Sequence, residues 1–348
     1  MSKNQLGQFY TTNYEYILSN MEIPEGIKTI IEPFVGNGDL LNFIKNKDKY
    51  NIEIYDIDPK YNNTIKRDTL NDPPDYSEKF VLTNPPYLAR NKSKNKDLYN
   101  KYNCNDLYKC FIINIITNIC KGGIIIVPVN FISSIRCSDT ELRKKFLEIY
   151  SIKIVNIFEE QVFDDTSYAV CSIYFMKKTD DSEDDSNIKV YIYPSNKEMT
   201  ISLTDENNYT IGGEIYNLPQ NPKYNVQRAT KKTKDNITNI LLKCIDDNVD
   251  SQLGFKVLPD KDIFIDETPK LSARSYATLV IKRKGNNTPL TLEEQEVLVN
   301  KMNTYIKENR EKYNSLFLTN YRESNTIARK RISFSLAFNI CNYILSQE

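Results

Sequence analysis

The sequence predicts an α/β chain: a doubly wound, mostly parallel sheet joined to a second, mixed α+β domain. Short apolar runs of strand length alternate with segments of helical length through the first half, the pattern of a sheet covered on both faces. The acidic stretch TDDSEDDS, residues 179–186, interrupts that alternation. The chain has 348 residues, against a prior of roughly 100–200 per domain. A first domain is therefore expected over residues 1–205 and a second over 206–348.

Residues 27–34 (IKTIIEPF) read as a buried strand, and the GNG after them as a tight turn into a helix from Asp39. Strands follow at 52–57, ending in Asp56 and Asp58, and at 80–83, which runs straight into Asn84-Pro85-Pro86-Tyr87. Residues 106–120 have helical length and apolar periodicity, and Lys121-Gly122-Gly123 stops them. A strand at 124–129, a helix at 140–149 and strands at 152–158 and 168–176 complete the sheet. The short loop between the last two suits an antiparallel pair. Short β-like pieces (188–193, 199–203) and a polar stretch with Pro219 and Pro222 come next. Thr291 and Glu294 form a capping box ahead of a helix of roughly five turns. A last helix is expected from near Ala328, with Ile332, Leu336, Ile340 and Ile344 on one buried face.

Composition excludes several chemistries. There is no histidine, so Ser-His-Asp and Cys-His nucleophiles, HExxH zinc hydrolysis and His-ligated metals are all ruled out. No GxxxxGK[ST] loop is present. Seven scattered cysteines, none in a CxxC, read as reduced core residues. The polar N-terminus lacks a signal-peptide pattern, and no apolar run reaches membrane-span length. A cytoplasmic protein is expected. Abundant Asn, Lys, Ile and Tyr with only 10 Gly suit an AT-rich genome, bacterial or large-viral. Lys+Arg and Asp+Glu balance at 46 each. The halves differ mildly: residues 1–205 hold 25 basic and 29 acidic side chains, and the remainder 21 and 17. Basic surface is thus expected in the second half.

The tetrapeptide NPPY directly after a strand is the most informative motif, expected by chance about 0.004 times in a chain of this composition. Ligands in open α/β sheets bind outside the carboxyl ends of the strands. Other motifs accompany it in order. They are Gly7-Gln8-Phe9-Tyr10-Thr11-Thr12, then Glu32-Pro33-Phe34-Val35-Gly36-Asn37-Gly38, Asp56-Ile57-Asp58-Pro59 and Asp68-Thr69-Leu70. After NPPY come Asp106-Leu107-Tyr108, Lys121-Gly122-Gly123, the IIIVPVNF strand, and Val162-Phe163 with the strand behind it.

This series resembles the gamma-class adenine-N6 DNA methyltransferases of restriction–modification systems over residues 7 to about 178. The resemblance implies a Rossmann-like fold dependent on S-adenosylmethionine (AdoMet), with a C-terminal target-recognition domain. It implies double-stranded DNA with a short specific site as substrate, and a cognate restriction endonuclease as a separate chain. A monomer is expected. Tyr10, Thr11 and Thr12 belong to the motif that closes over the cofactor; Phe34, Gly36 and Gly38 belong to its loop. Gly36 and Gly38 let backbone approach the methionine part. Glu32 is expected at the methionine ammonium, Asp56 at the ribose hydroxyls, Ile57 on the adenine face, and Asp68 with Thr69 at the cofactor adenine.

An adenine N6 amine is a poor nucleophile because its lone pair is delocalised into the ring. Two acceptors, the Asn84 side-chain oxygen and the Pro85 carbonyl, would bind its two N–H groups and aim the lone pair at the methyl. Prolines preorganise that turn. Catalysis by orientation suits a chain without histidine. The target base must flip out of the duplex, with Tyr87 and Phe163 as stacking partners. A core position for Phe163 is the alternative, as solvated turn carboxylates are for Asp56, Asp58 and Asp68.

DNA contacts are expected from Arg228 with Lys231, Lys232 and Lys234, from Arg274-Ser275-Tyr276, from Lys282-Arg283-Lys284, and from Arg322 and Arg329-Lys330-Arg331. Each cluster also reads as ordinary solvated charge. The motif leaves other planar amines open as acceptors: a protein glutamine, RNA adenine, or cytosine N4, whose class usually has Ser at the Asn84 position. A degenerate AdoMet-fold DNA-binding subunit is the non-enzymatic reading, opposed by the intact NPPY.

Overall fold

The computed structural model describes residues 7, 9, 11–163, 169–179, 187–248, 250–263, 265, 275–285, 288–320 and 330–347. It separates into two compact units, Met1–Leu203 and Thr204–Glu348.

The first unit is built on a nine-stranded sheet. Its strands are β1 (Thr29–Glu32), β2 (Asn51–Asp56), β3 (Ile65–Lys66), β4 (Phe80–Thr83), β5 (Gly122–Pro128), β6 (Tyr150–Phe158), β7 (Val170–Lys177), β8 (Ile188–Tyr193) and β9 (Lys197–Ile201). They lie in the order β3-β2-β1-β4-β5-β7-β6-β8-β9. The strands β3, β2, β1, β4 and β5 run parallel. Strand β7 pairs antiparallel with both β5 and β6. The chain leaves β1 towards β2 on one side and later returns to β4 on the other. A crevice at such a reversal is where this class of sheet holds ligands.

Burial explains the apolar runs. All four residues of β4 and all seven of β5 are buried, which is why both strands read as continuous hydrophobic segments without alternation. The helix Leu107–Thr117 and the helix Cys137–Ile149 flank the sheet. Three charged groups are buried with them. Lys109 pairs with Asp139, and Arg143, with no exposed surface, donates to the carbonyls of Phe131 and Ser134. These bonds hold the chain leaving β5.

The turn after β1 differs from expectation. Gly36 and Gly38 adopt positive φ (53° and 85°), but Asp39–Phe43 is a single stretch of 3-10 helix. It ends before Asn46, whose left-handed backbone stops any continuation of the helix.

The second unit has a four-stranded antiparallel sheet. Its strands are β10 (Tyr224–Arg228), β11 (Ile237–Lys243), β12 (Gly254–Val257) and β13 (Tyr276–Arg283), in the order β10-β13-β11-β12. The helix Leu292–Lys312 starts with the expected capping box: Thr291 Oγ1 accepts from Glu294 N (3.2 Å), and Glu294 Oε2 accepts from Thr291 N (2.6 Å). The last helix is Phe334–Leu345, shorter than the spacing of apolar residues predicts. Ser333 caps it through Leu336 N (3.1 Å). Lys330 and Arg331 instead form a short strand paired with Thr319–Asn320. Lys330 is 4% exposed, so it is no part of a surface charge cluster. Ile332 is buried ahead of the helix rather than on it.

Five of the seven cysteines are buried; Cys104 is half-buried and Cys137 exposed. Among the described residues, no helix is long and apolar enough to cross a membrane. No group of three or more His, Cys, Asp or Glu side chains among them is placed to hold a metal ion.

Candidate active site

Three strands of the parallel sheet end together. Strand β1 ends in Glu32, β2 in Asp56, and β4 runs into Asn84. Their carboxyl ends surround a cavity of about 830 Å³, within the size range of small-molecule sites.

Glu32 is 1% exposed. One carboxyl oxygen, Oε1, accepts from Phe34 N (3.0 Å) and from the Thr83 hydroxyl. Burial pushes its pKa up to about 8 despite these two bonds.

Asp56 is 3% exposed. Its Oδ2 accepts from Gly36 N (2.9 Å) and its Oδ1 from Asp58 N (2.8 Å). The carboxylate thus ties the glycine turn to the end of β2, and Val35 N adds a bond to Tyr55 O (2.9 Å). Burial raises the Asp56 pKa, and the two backbone donors oppose the rise.

Thr69 is buried and donates to Pro33 O (2.9 Å). Asp68 accepts from Asn71 N (3.2 Å). Ile57 is 38% exposed on the cavity wall. Thr11, Phe34, Gly36 and Asn84 also line the cavity, so nine of the expected residues meet there. Gly38, Pro85, Tyr87 and Phe163 do not line it, and Thr12 is solvent-exposed. Tyr10 lies outside the described residues.

Around NPPY both polar atoms of the Asn84 side chain are engaged. Nδ2 donates to Phe9 O (2.9 Å) and Thr11 Oγ1 (3.0 Å), and Oδ1 accepts from the Tyr87 hydroxyl. The same hydroxyl also lies 2.7 Å from Ile126 O. The Tyr87 ring is 2% exposed, with the Phe9 ring stacked on it at 5.4 Å and 24°. Phe163 is 3% exposed and 6.2 Å from Phe9. Phe9, absent from the expected site residues, therefore lies between the two aromatics expected to hold a base.

Asp106 supports the chain beyond NPPY by accepting from Leu88 N (3.1 Å). Burial raises its pKa to about 6. The polar segment 93–101 forms a further wall that sequence reasoning missed. It is anchored where Lys101 Nζ donates to Asn71 O (2.6 Å) and Tyr102 donates to Leu70 O (2.5 Å). NKSKNKD carries neither periodicity nor motif, so no sequence signal marks it.

In the second unit Lys231, Lys232, Lys234, Lys282, Arg283 and Lys284 are exposed, and Arg228 is half-buried against the Phe334 ring. Arg283 lies over Tyr224. Register places Arg228 opposite Leu279, three residues before Lys282, or about 10 Å along the strand. Arg274, Arg322 and Arg329 lie outside the described residues.

Residues 45–212 match the family model described as N-6 DNA Methylase. The match falls on the kind of family that the motifs resemble, and AdoMet is the cofactor that it implies. The matched segment contains NPPY and Asp56 but begins beyond the Glu32–Gly38 turn. A search of curated protein sequences finds no match.

Three solved structures similar to this chain differ in the share of chain aligned. The methyltransferase subunit of a type I restriction–modification system from Streptococcus thermophilus is 18% identical, covering 53% of this chain and 47% of that one, with a TM-score of 0.34. A DrdV–DNA complex is 11% identical over 70% of this chain and 35% of that one (TM-score 0.43). The type IIG restriction endonuclease BpuSI is 12% identical over 90% and 46% (TM-score 0.39). The chain spans less than half the length of each of these three.

Proposed function

We propose that this chain is a site-specific DNA methyltransferase. It moves a methyl group from AdoMet to N6 of an adenine flipped out of duplex DNA. The modified site is thereby protected from a cognate restriction endonuclease on a separate chain. The observation that carries this reading is the position of Asn84. It follows β4 beside the reversal of strand order, with its side chain on the cavity that Glu32, Asp56 and Asp68 share.

The donor set of the cavity suits AdoMet. Glu32 takes the ammonium and Asp56 the ribose hydroxyls. Ile57 and Phe34 offer apolar surface to the adenine ring, and Asp68 accepts from its amine with Thr69 holding the turn. Gly36 and Gly38 allow the close backbone approach. Bound there, AdoMet supplies an electrophilic methyl group on a sulfonium.

Asn84 Oδ1 and the Pro85 carbonyl accept the two N6–H bonds of the target base. This pulls the nitrogen towards tetrahedral geometry and localises its lone pair. The Tyr87 hydroxyl has one proton and two acceptors. Turning it to Ile126 O leaves Asn84 Oδ1 to the base. Tyr87 and Phe163 wall the base, whose entry requires the Phe9 ring to swing off the Tyr87 face. The proton leaves N6 after transfer, so no strong base is needed. The exposed charges Lys231, Lys282, Arg283 and Lys284, with Arg228, meet the phosphates. The protein works as a monomer.

The test is direct. The protein is incubated with AdoMet and adenine-unmethylated duplex DNA, which is then digested and analysed by mass spectrometry. N6-methyldeoxyadenosine is the expected product. N4-methyldeoxycytidine would reassign the base, and no methylated nucleoside would overturn the reading in favour of an RNA or protein amide.

A further inference from the structure

Asn84 works only if its amide points the right way. Its two ends have the same shape and opposite chemistry: oxygen accepts and nitrogen donates. A half-turn about the last side-chain bond would present N–H groups to the amine of the acceptor, donor against donor, and abolish the interaction.

The geometry points to Thr11 as a residue that holds this orientation, by accepting the second N–H of the amide. We propose that Thr11 is a positioning residue for Asn84, rather than a cofactor contact, and that it acts together with the Phe9 carbonyl. The inference rests on the reading of Asn84 as the acceptor of the substrate N6–H groups. Phe9 O and Thr11 Oγ1 lie 2.9 and 3.0 Å from Asn84 Nδ2. A backbone carbonyl only accepts, so the end of the amide facing it must be the nitrogen. Both N–H groups of that nitrogen are then used, one on each acceptor, and the oxygen is left on the opposite side. Thr11 is 3% exposed, so water does not replace its hydroxyl.

The backbone that delivers these acceptors is itself pinned. Tyr87 N donates to Gly7 O (2.9 Å). Gly7 has φ of +66°, and a Cβ there would lie 2.6 Å from Tyr87 O. Gly7 therefore docks on the NPPY turn through main chain, independently of the Phe9 ring. The ring can leave the Tyr87 face while the carbonyl stays on Asn84.

Thr11→Val keeps the shape and removes the acceptor. On adenine-unmethylated DNA the expected result is a fall in kcat of about tenfold to a hundredfold, the scale of a small misplacement at a reacting centre. The AdoMet Kd stays within about twofold, and the melting temperature falls by no more than a few degrees, about the cost of one unpaired buried N–H. Thr11→Ser restores the acceptor and most of kcat. A Thr11→Val enzyme with wild-type kcat overturns the proposal. A loss confined to AdoMet affinity overturns it too, because Thr11 is then a cofactor contact. A Thr11→Ser enzyme as slow as Thr11→Val assigns the effect to packing and also overturns it.

A second readout needs no activity. The Asn84 side-chain amide resonances, assigned by their absence in Asn84→Ala, should shift in Thr11→Val and stay in place in Thr11→Ser. Unmoved resonances in Thr11→Val overturn the proposal. If wild-type protein methylates no DNA, the functional reading fails, while the amide resonances still decide whether Thr11 orients Asn84.

Discussion

The two units use charge in opposite ways. In the first, carboxylates are turned inward and desolvated: Glu32 and Asp56 are buried at strand ends, each held by backbone or hydroxyl donors. In the second, most of the lysines and arginines of interest sit outward on β13 and the turn after β10. An inward carboxylate is costly unless something answers it, so its position carries information about a ligand. An outward lysine costs almost nothing, so its position carries little. The first unit therefore exposes its chemistry to inspection, and the second needs measurement.

The largest expected effect tests the inward side. Asn84→Ala should lower methyl transfer by at least about a hundredfold, the scale of losing one preorganised polar group at a reacting centre. AdoMet binding should stay within a few-fold by calorimetry. Retained activity would remove Asn84 from the chemistry.

Asp56→Ala should weaken AdoMet by about tenfold to a hundredfold, as expected for lost hydrogen bonds to a charged group. It also releases Gly36 N and Asp58 N, so a drop in melting temperature should accompany it. An unchanged dissociation constant would confine Asp56 to the turn.

Glu32 gives a signed pH effect. Its carboxyl titrates at about 8 in the fold against 4.5 ordinarily. The folded protein therefore binds the extra proton between these values, and stability without cofactor falls as pH rises through that window. An ammonium in the cavity favours the carboxylate. AdoMet binding at pH 7 should thus release a proton, and affinity should rise as pH approaches 8. Calorimetry in two buffers of different ionisation enthalpy measures the release. Equal heats would sink the pairing, and Glu32→Gln should abolish the difference.

The smallest effect belongs to the outward side. Replacing Lys282, Arg283 and Lys284 by alanine should weaken DNA binding and flatten its salt dependence, by about one unit of slope for each phosphate that is no longer neutralised. AdoMet affinity should not change. An unchanged slope would place the DNA face elsewhere.

Legibility followed the same division. Asn84, Glu32, Asp56 and Asp68 were readable because strand ends and tight turns leave ordered local motifs. Phe9 stood inside a recognised motif, yet its stacking on Tyr87 spans 78 positions and no local pattern encodes it. The wall at 93–101 was invisible for the same reason. The last helix shows the opposite failure. Spacing of four from Ile332 onward extended it too far, because Ser333 caps the helix and Lys330 is drawn into pairing with Asn320.

By itself the sequence determined the alternation of strands and helices, the burial of β4 and β5, the capping box at Thr291, and the identities of the polar groups at the strand ends. These depend on periodicity, propensity and short-range geometry, which neighbouring residues carry. Only the tertiary structure decided which of those groups share one cavity, that Asp56 clamps the glycine turn, and that Asn84 is held by Phe9 and Thr11. Those facts depend on contacts between distant segments, and on desolvation, which is a property of everything packed around a group rather than of the group itself.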